Sequence, residues 1–323
     1  MNTEKSLIAA YILSADGGEA LDWDGVQSWG PDDGVLWLHL DYTADEASDW
    51  LANKSGLDPM VVAALTSEEP RPRSTSMLDG LLVMMRGVNL NPGADPEDMV
   101  SIRMWITENR IISTRRRKLI SIQDMCNAIE AGHGPSTAGE FLVNIAERLV
   151  ERMSDVVGAI DDQIDALEDQ VLNEKNYQLR SQISDIRRET ISLRRYLSPQ
   201  RDSMARLSNE RVAWLTDINR LHLREVTDST MRYIEDLDAT REKAIVIQEE
   251  LMSGISEQMD KRMYVLSIIS AIFLPLGFLT GLLGVNLGGI PGAENKFAFF
   301  IFGLLLLLVV LMQFFFFKKM KWM

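Results

Sequence analysis

The chain has one cysteine, Cys126, and three histidines, His39, His133 and His222, in 323 residues. A lone cysteine excludes an intrachain disulfide and suits a reducing cytosol. The histidines lie far apart, none at ligand spacing, which excludes a zinc cage built of Cys and His. His39 falls in a strand pattern, and His133 and His222 read as surface positions. No glycine-rich phosphate loop follows a strand and no nucleophile motif is present. Enzyme activity is therefore not expected, and no cofactor is called for. Basic residues are outnumbered 33 to 47, giving a net charge of −14. Such an acidic chain is unsuited to nucleic acid, whose phosphates demand positive charge. Between residues 263 and 317 charge of either sign is nearly missing, since only Glu294 and Lys296 occur there.

That gap consists of two uncharged runs, 263–285 and 297–317, around a short polar loop, 286–296. At about 1.5 Å per residue each run covers roughly 30–35 Å, the thickness of a bilayer's hydrocarbon core. Neither run has the polar face of a soluble amphipathic helix. The spacing predicts two transmembrane helices. Lys261 and Arg262 precede the first, and Lys318, Lys319 and Lys321 follow the second, against Lys296 alone in the loop. The positive-inside rule then places both termini in the cytoplasm, with 318–323 as a basic tail and the loop outside. The stretch 1–14 shows neither a basic leader nor a small-residue cleavage site, so no signal peptide is expected. Of the charged residues, 29 basic and 46 acidic ones lie in 1–262, a net of −17. That field concentrates cations near the cytoplasmic portion.

Residues 1–136 carry seven of the ten prolines and the strand-like segments, so they read as a mixed α/β domain. Val35–Asp41, Leu81–Leu90 and Val100–Thr107 are apolar or alternating runs of strand length, and Ile111–Thr114 completes a hairpin. Thr43-x-x-Glu46 has the pattern of a capping box, and Asp58-Pro59 places a cap before a first-turn proline. A third pattern, Thr137-x-x-Glu140, opens a long helical portion, 137–262. Its first helix carries Phe141, Ile145, Leu149, Met153, Val156, Ile160, Ile164, Leu167 and Val171 at helical spacing. A second helix runs to about Leu207, with a kink or break expected at Pro199. No glycine or proline occurs between Gln200 and Ser253. A third helix is predicted from about Leu221, with the stripe Val226, Thr230, Ile234, Leu237, Arg241, Ile245, Gln248, Leu251, Ile255 and Met259. It passes into the first membrane run either unbroken or through a hinge at Gly254.

In that first run Met263, Ser267, Ser270, Leu274, Gly277, Gly281 and Gly284 share one helical face, which is small or hydroxylated except at Met263 and Leu274. Such a face either packs against another helix, as Gly277-x-x-x-Gly281 allows, or lines a narrow hydrated path. Two spans cannot enclose a pore alone, so conduction requires several copies around an axis. Pro275 requires a partner for the carbonyl it frees. Asn286, just past the run, reads by itself as a helix C-cap. Glu294 reads as a solvated loop residue that adds negative charge near the outer end.

Gly284-Val285-Asn286 resembles the Gly-Met-Asn signature of the CorA-type divalent-cation transporters, at the same place after the first span. Phe273-Leu274-Pro275-Leu276 and the tail Lys318-Lys319-Met320-Lys321-Trp322 also look like that family. Valine in the tripeptide, followed by Leu287-Gly288-Gly289-Ile290-Pro291-Gly292, is similar to its zinc-transporting ZntB branch. Likeness continues through Arg71-Pro72-Arg73, Ser113-Thr114-Arg115 and the stretch from Arg194 to Asp202, so it covers nearly the whole chain. The resemblance implies a funnel-shaped homopentamer in the bacterial inner membrane, with the α/β domains at the cytoplasmic mouth and the long helices as wall. Five copies of the first span would form the pore. Asn286 would meet the hydrated ion outside, and Gly281, Gly277, Leu274, Ser270, Ser267 and Met263 would line the path toward Asp260. Zn2+ is the implied cargo, with Ni2+ and Cd2+ as further candidates. A CorA-like Mg2+ or Co2+ channel and a membrane-anchored coiled-coil signalling protein are the competing readings.

Overall fold

A computed structural model describes residues 6–15, 17–174, 176–284, 292 and 295–319. The chain divides into two compact units, Met1–Glu249 and Glu250–Met323.

The first unit is built on a seven-stranded mixed sheet. Its strands are β1 (Leu7–Ser14), β2 (Gly17–Ala20), β3 (Val35–Asp41), β4 (Arg73–Met77), β5 (Gly80–Gly87), β6 (Val100–Ile106) and β7 (Arg110–Arg115). Their spatial order is β2-β1-β3-β7-β6-β5-β4. The β3–β7 pair is parallel, Trp37 opposite Ile111, and the other pairs are antiparallel. β3 shows why the sheet needs cover on both faces. Leu36, Leu38 and Leu40 enter one core, while Trp37 enters the other. Alternating strand residues point to opposite faces, so a strand with large apolar residues on both faces is stable only between two layers.

On the face of Leu36 lie the short helices α1 (Trp23–Ser28), α2 (Asp45–Asp49) and α3 (Pro59–Leu65). Asp58 caps α3 by accepting the Met60 N–H at 2.7 Å, as the Asp-Pro pair predicts. The expected box at Thr43 and Glu46 does not form. Thr43 instead donates its N–H and hydroxyl to Asp41 in a local turn, and Glu46 accepts from Ser6. On the Trp37 face lie α4 (Ile120–Glu130) and the start of α5 (Ala138–Asn173), whose Phe141 ring sits 4.9 Å from the Trp37 ring. Thr137 caps α5 by accepting the Glu140 N–H at 3.1 Å, and the Glu140 carboxylate reaches back to the Ser136 N–H at 2.7 Å. All nine stripe residues of α5 are buried.

α6 (Leu179–Leu207) contains Pro199 without a break in the helix. α7 runs from Asp217 to Leu283, 67 residues through Gly254 and Pro275, starting four residues before the expected Leu221. Its buried stripe departs from the expected one beyond Leu237. Thr240, Ala244, Ile247 and Leu251 are buried, not Arg241, Ile245 and Gln248. The seam repeats at seven-residue steps through Thr230, Leu237, Ala244 and Leu251, and small side chains occupy it where a hydropathy reading finds no apolar residue.

The second unit holds the membrane-type end of α7 and α8 (Ala298–Lys319), each with a stretch long and apolar enough to cross a membrane that is not buried in the single chain. Asn295 starts α8 by accepting the Phe297 N–H at 3.0 Å on its side chain and the Ala298 N–H at 2.9 Å on its carbonyl. Lys318 and Lys319 occupy its last turn, where positive charge complements the carbonyl end of the helix dipole.

Candidate functional site

The two apolar helices of the second unit each carry one less-exposed stripe. On α8 it runs through Ala298, Phe302, Leu306, Val309, Gln313 and Phe317, and on α7 through Ile268, Ala271, Ile272, Pro275, Leu276 and Leu279. A hydrogen bond from Gln313 Nε2 to the Ala271 carbonyl, 3.2 Å, joins the two stripes. At about 100° per residue the α7 stripe centres roughly 150° around the helix from the face of Met263, Ser267, Ser270, Leu274, Gly277 and Gly281. That second face is exposed along its whole length in the single chain. A Cβ built on Gly277 or Gly281 meets nothing within 4 Å among the described residues. The small residues therefore do not serve a close approach of α8.

Two hydroxyls on this helix, one of them on that face, are held back on the backbone. Ser267 donates to the Met263 carbonyl at 2.8 Å and Thr280 to the Leu276 carbonyl at 2.9 Å. A hydroxyl so bonded keeps its lone pairs for a second donor such as water, so the face is hydrophilic without charge. Gly284 ends α7 with its N–H on the Thr280 carbonyl at 2.9 Å. A Cβ there would stand 2.7 Å from the same oxygen, so only glycine allows this close. Val285, Asn286 and Glu294 lie outside the described residues. Asp260, at the other end, is exposed one turn before Tyr264. Lys261 next to it pairs with Glu257 at 2.8 Å.

The first unit accounts for the remaining chemistry-bearing side chains. Cys126 is buried, which pushes its thiol up to about 11, so it is not a nucleophile at neutral pH. His39 is fully buried in β3. Burial, with the Arg115 charge as a smaller cause, pushes it down to about 3, so it stays neutral. His222 is exposed and meets Glu147 at 2.8 Å. The basic run after β7 serves ion pairs within the unit: Arg115 with Asp41 and Arg116 with Glu68, both at 4.0 Å, and Arg117 with Asp98. Lys243 of α7 bridges Asp165 and Glu168 of α5, and those hydrogen bonds hold its pKa above the usual lysine value. Among the described residues no group of three or more His, Cys, Asp and Glu converges as a metal site. Two residues of the second unit escaped the sequence reading. Asn295 was findable as an amide just before an apolar run. Gln313 was visible only as an isolated polar residue inside a span.

Residues 32–319 match the family described as CorA-like Mg2+ transporter protein. The zinc transport protein ZntB of Yersinia pseudotuberculosis is 39% identical over 98% of this chain and 96% of its own length. The divalent cation transporter CmaX of Pseudomonas aeruginosa is 38% identical over 99% of this chain and 98% of its own. The solved structure of the full-length CmaX protein superposes with a TM-score of 0.86 at 36% identity, covering 100% of both chains.

Proposed function

The chain belongs to the CorA-like Mg2+ transporter family, and from that premise we propose that it carries divalent cations across a membrane, with Zn2+ as principal cargo. The observation that carries this reading is the open face of α7. A face of serine and glycine, with Met263 and Leu274, turns away from α8, and a Cβ built on Gly277 or Gly281 meets nothing within 4 Å among the described residues. Lipid offers such a face no gain in packing and no partner for its hydroxyls. A water-filled axis shared by several copies offers the partners. In this reading five chains assemble around that axis, with Met263, Ser267, Ser270, Leu274, Gly277 and Gly281 along it and Asp260 at its cytoplasmic exit.

Gly284, Val285 and Asn286 would stand at the outer mouth. A ring of amide oxygens there accepts hydrogen bonds from the water around the ion and leaves the hydration shell intact. It binds weakly enough for release, which conduction requires. Carboxylates at the same place would hold the ion longer, and Glu294 adds its charge at a distance. Lys261 and Arg262 on one side, with Lys318 and Lys319 on the other, support a cytoplasmic location of both helix ends at the bacterial inner membrane.

The cargo is the finer point. Relatives at 38–40% identity named zinc transport protein ZntB favour zinc, while the family description names Mg2+. Flux into liposomes containing the full chain, measured for Zn2+, Mg2+, Ni2+ and Cd2+ in parallel, separates the two. Zinc entry that Asn286→Ala abolishes, with assembly intact by native mass spectrometry, is the expected result. Normal uptake by that variant defeats the assignment of the outer ring.

A further inference from the structure

Pro275 creates a specific chemical deficit inside the first span. In an α-helix the carbonyl of residue i−4 accepts the N–H of residue i; proline has no N–H, and its ring crowds that same oxygen. The carbonyl left over is that of Ala271. Water can satisfy a freed carbonyl in a soluble helix, but hydrocarbon cannot, and an unpaired backbone group there costs several kcal/mol. Ser267 and Thr280 of α7 place their hydroxyls on the Met263 and Leu276 carbonyls. The donor that reaches Ala271 comes from the other helix: Gln313 Nε2, at 3.2 Å.

Gln313 is the only amide or charged side chain in α8 before Lys318. Ala271 offers only an acceptor, so the nitrogen of the amide must face it. Gln313 Oε1 is left buried without a partner among the described residues. An amide in an otherwise solid run of Leu, Val and Phe is unfavourable unless the bond it makes is needed.

We propose that Gln313 is a positioning residue for transport. It latches α8 to the carbonyl that Pro275 frees, and so fixes how α7 and α8 are rotated against each other and the aim of the face that carries Leu274 and Gly277. The part concerning transport rests on the reading of α7 as the pore helix. The latch itself does not. Without it, the Ala271 oxygen loses its hydrogen bond and α7 is free to shift at Pro275, which moves Leu274 and Gly277 together.

The test is a double-mutant cycle on the full-length chain, read by zinc flux in liposomes and separately by unfolding in detergent. Gln313→Leu removes the donor. Pro275→Ala returns an N–H to the helix, so that Ala271 no longer needs Gln313. Gln313→Leu is expected to lower the folded-to-unfolded ratio by about three- to twentyfold, from the average to the maximum measured for single interhelical hydrogen bonds in a membrane protein, and to change the flux by at least about threefold. In the Pro275→Ala background the same substitution should change either by less than about twofold, since the bond has lost its purpose. If Gln313→Leu alone fails to fold, folding of the double variant supports the latch and failure of both overturns it. An equal effect of Gln313→Leu in the two backgrounds also overturns it, as does no effect in either. Absence of flux from the unmodified chain sinks the transport reading, while the unfolding cycle still decides the latch.

Discussion

Gln200 of α6 accepts the main-chain N–H of Arg86 at 2.7 Å. The pairing of β4 with β5 ends at Arg73 opposite Met84, so Arg86 lies past the end of its neighbouring strand. A side chain from a helix completes the edge of the sheet there. Both residues are buried, and the Arg86 guanidinium lies 4.1 Å from the Tyr196 ring one turn earlier on α6. Its remaining bonds go to the Pro70 and Met99 carbonyls.

Gln200→Leu keeps the volume and removes the acceptor, leaving a buried N–H without a partner. A loss of about 1–3 kcal/mol of stability is expected. Chemical denaturation of the chain in detergent would measure it. Gln200→Glu, which keeps an acceptor, should lose less at neutral pH than the leucine variant.

His39 makes stability depend on pH in a direction fixed by its surroundings. Ser113 donates its hydroxyl to the Leu38 carbonyl at 3.0 Å and receives the Trp37 indole N–H at 2.9 Å. The contact of His39 Nδ1 with Ser113 Oγ at 2.9 Å therefore needs Nδ1 to carry the proton, which defines the neutral tautomer. Folded, the ring is held down to about 3 by burial. Unfolded, it takes a proton near 6.5. Above about pH 7 both states are neutral and His39 contributes no slope. Below it the unfolded chain binds a proton that the folded chain refuses, so stability falls as pH drops through the window from about 6.5 to 3. The slope approaches about 1.4 kcal/mol per pH unit, roughly 2 kcal/mol by pH 5. His39→Gln, which retains an N–H donor, should flatten that part of the profile; an unchanged profile in urea titrations at pH 5 and 7.5 would contradict the account.

The open face of α7 can be mapped with thiol reagents, because the chain's single cysteine is buried and its thiol is raised to about 11. Substitutions Ser270→Cys, Leu274→Cys and Gly277→Cys should react with a charged, membrane-impermeant reagent in assembled protein. Ile272→Cys and Leu279→Cys, on the stripe with Ala271, should not. Gly277→Leu should fold, since nothing lies within 4 Å of the added Cβ, yet should reduce flux by at least about tenfold by filling the axis. Equal labelling of both stripes would remove the face from the transport mechanism.

Sequence patterns exposed those parts of the molecule whose stability comes from strong, uninterrupted burial. β3 opens with the apolar run Val35–Leu38, buried from Leu36 onward, and the nine-residue stripe of α5 is apolar throughout, so pattern alone locates both. β2 (Gly17–Ala20) and β4 (Arg73–Met77) escaped that reading because edge strands bury little and hold by backbone bonds. The α7 seam slipped by one position because Thr240 and Ala244 fill it with small side chains, and hydropathy rewards size. At the candidate site, the face from Met263 to Gly281 was legible from helical periodicity. The need of the Ala271 carbonyl for a partner was equally legible from Pro275. Which donor meets it was not, because Gln313 is 42 residues away and its aim depends on how α8 is rotated.

α8 spans 22 residues, about 33 Å of helix, with apolar residues from Ala298 to Phe317 and lysines immediately beyond. Its polar amide sits four residues before the end of that run, so lipid thickness sets where Gln313 resides. In a thinner bilayer the helix must tilt to keep its apolar length covered, and the tilt carries the amide sideways in the plane of the membrane. Acyl-chain length of the host lipid thereby becomes a physical variable acting on the bond between Gln313 and the Ala271 carbonyl.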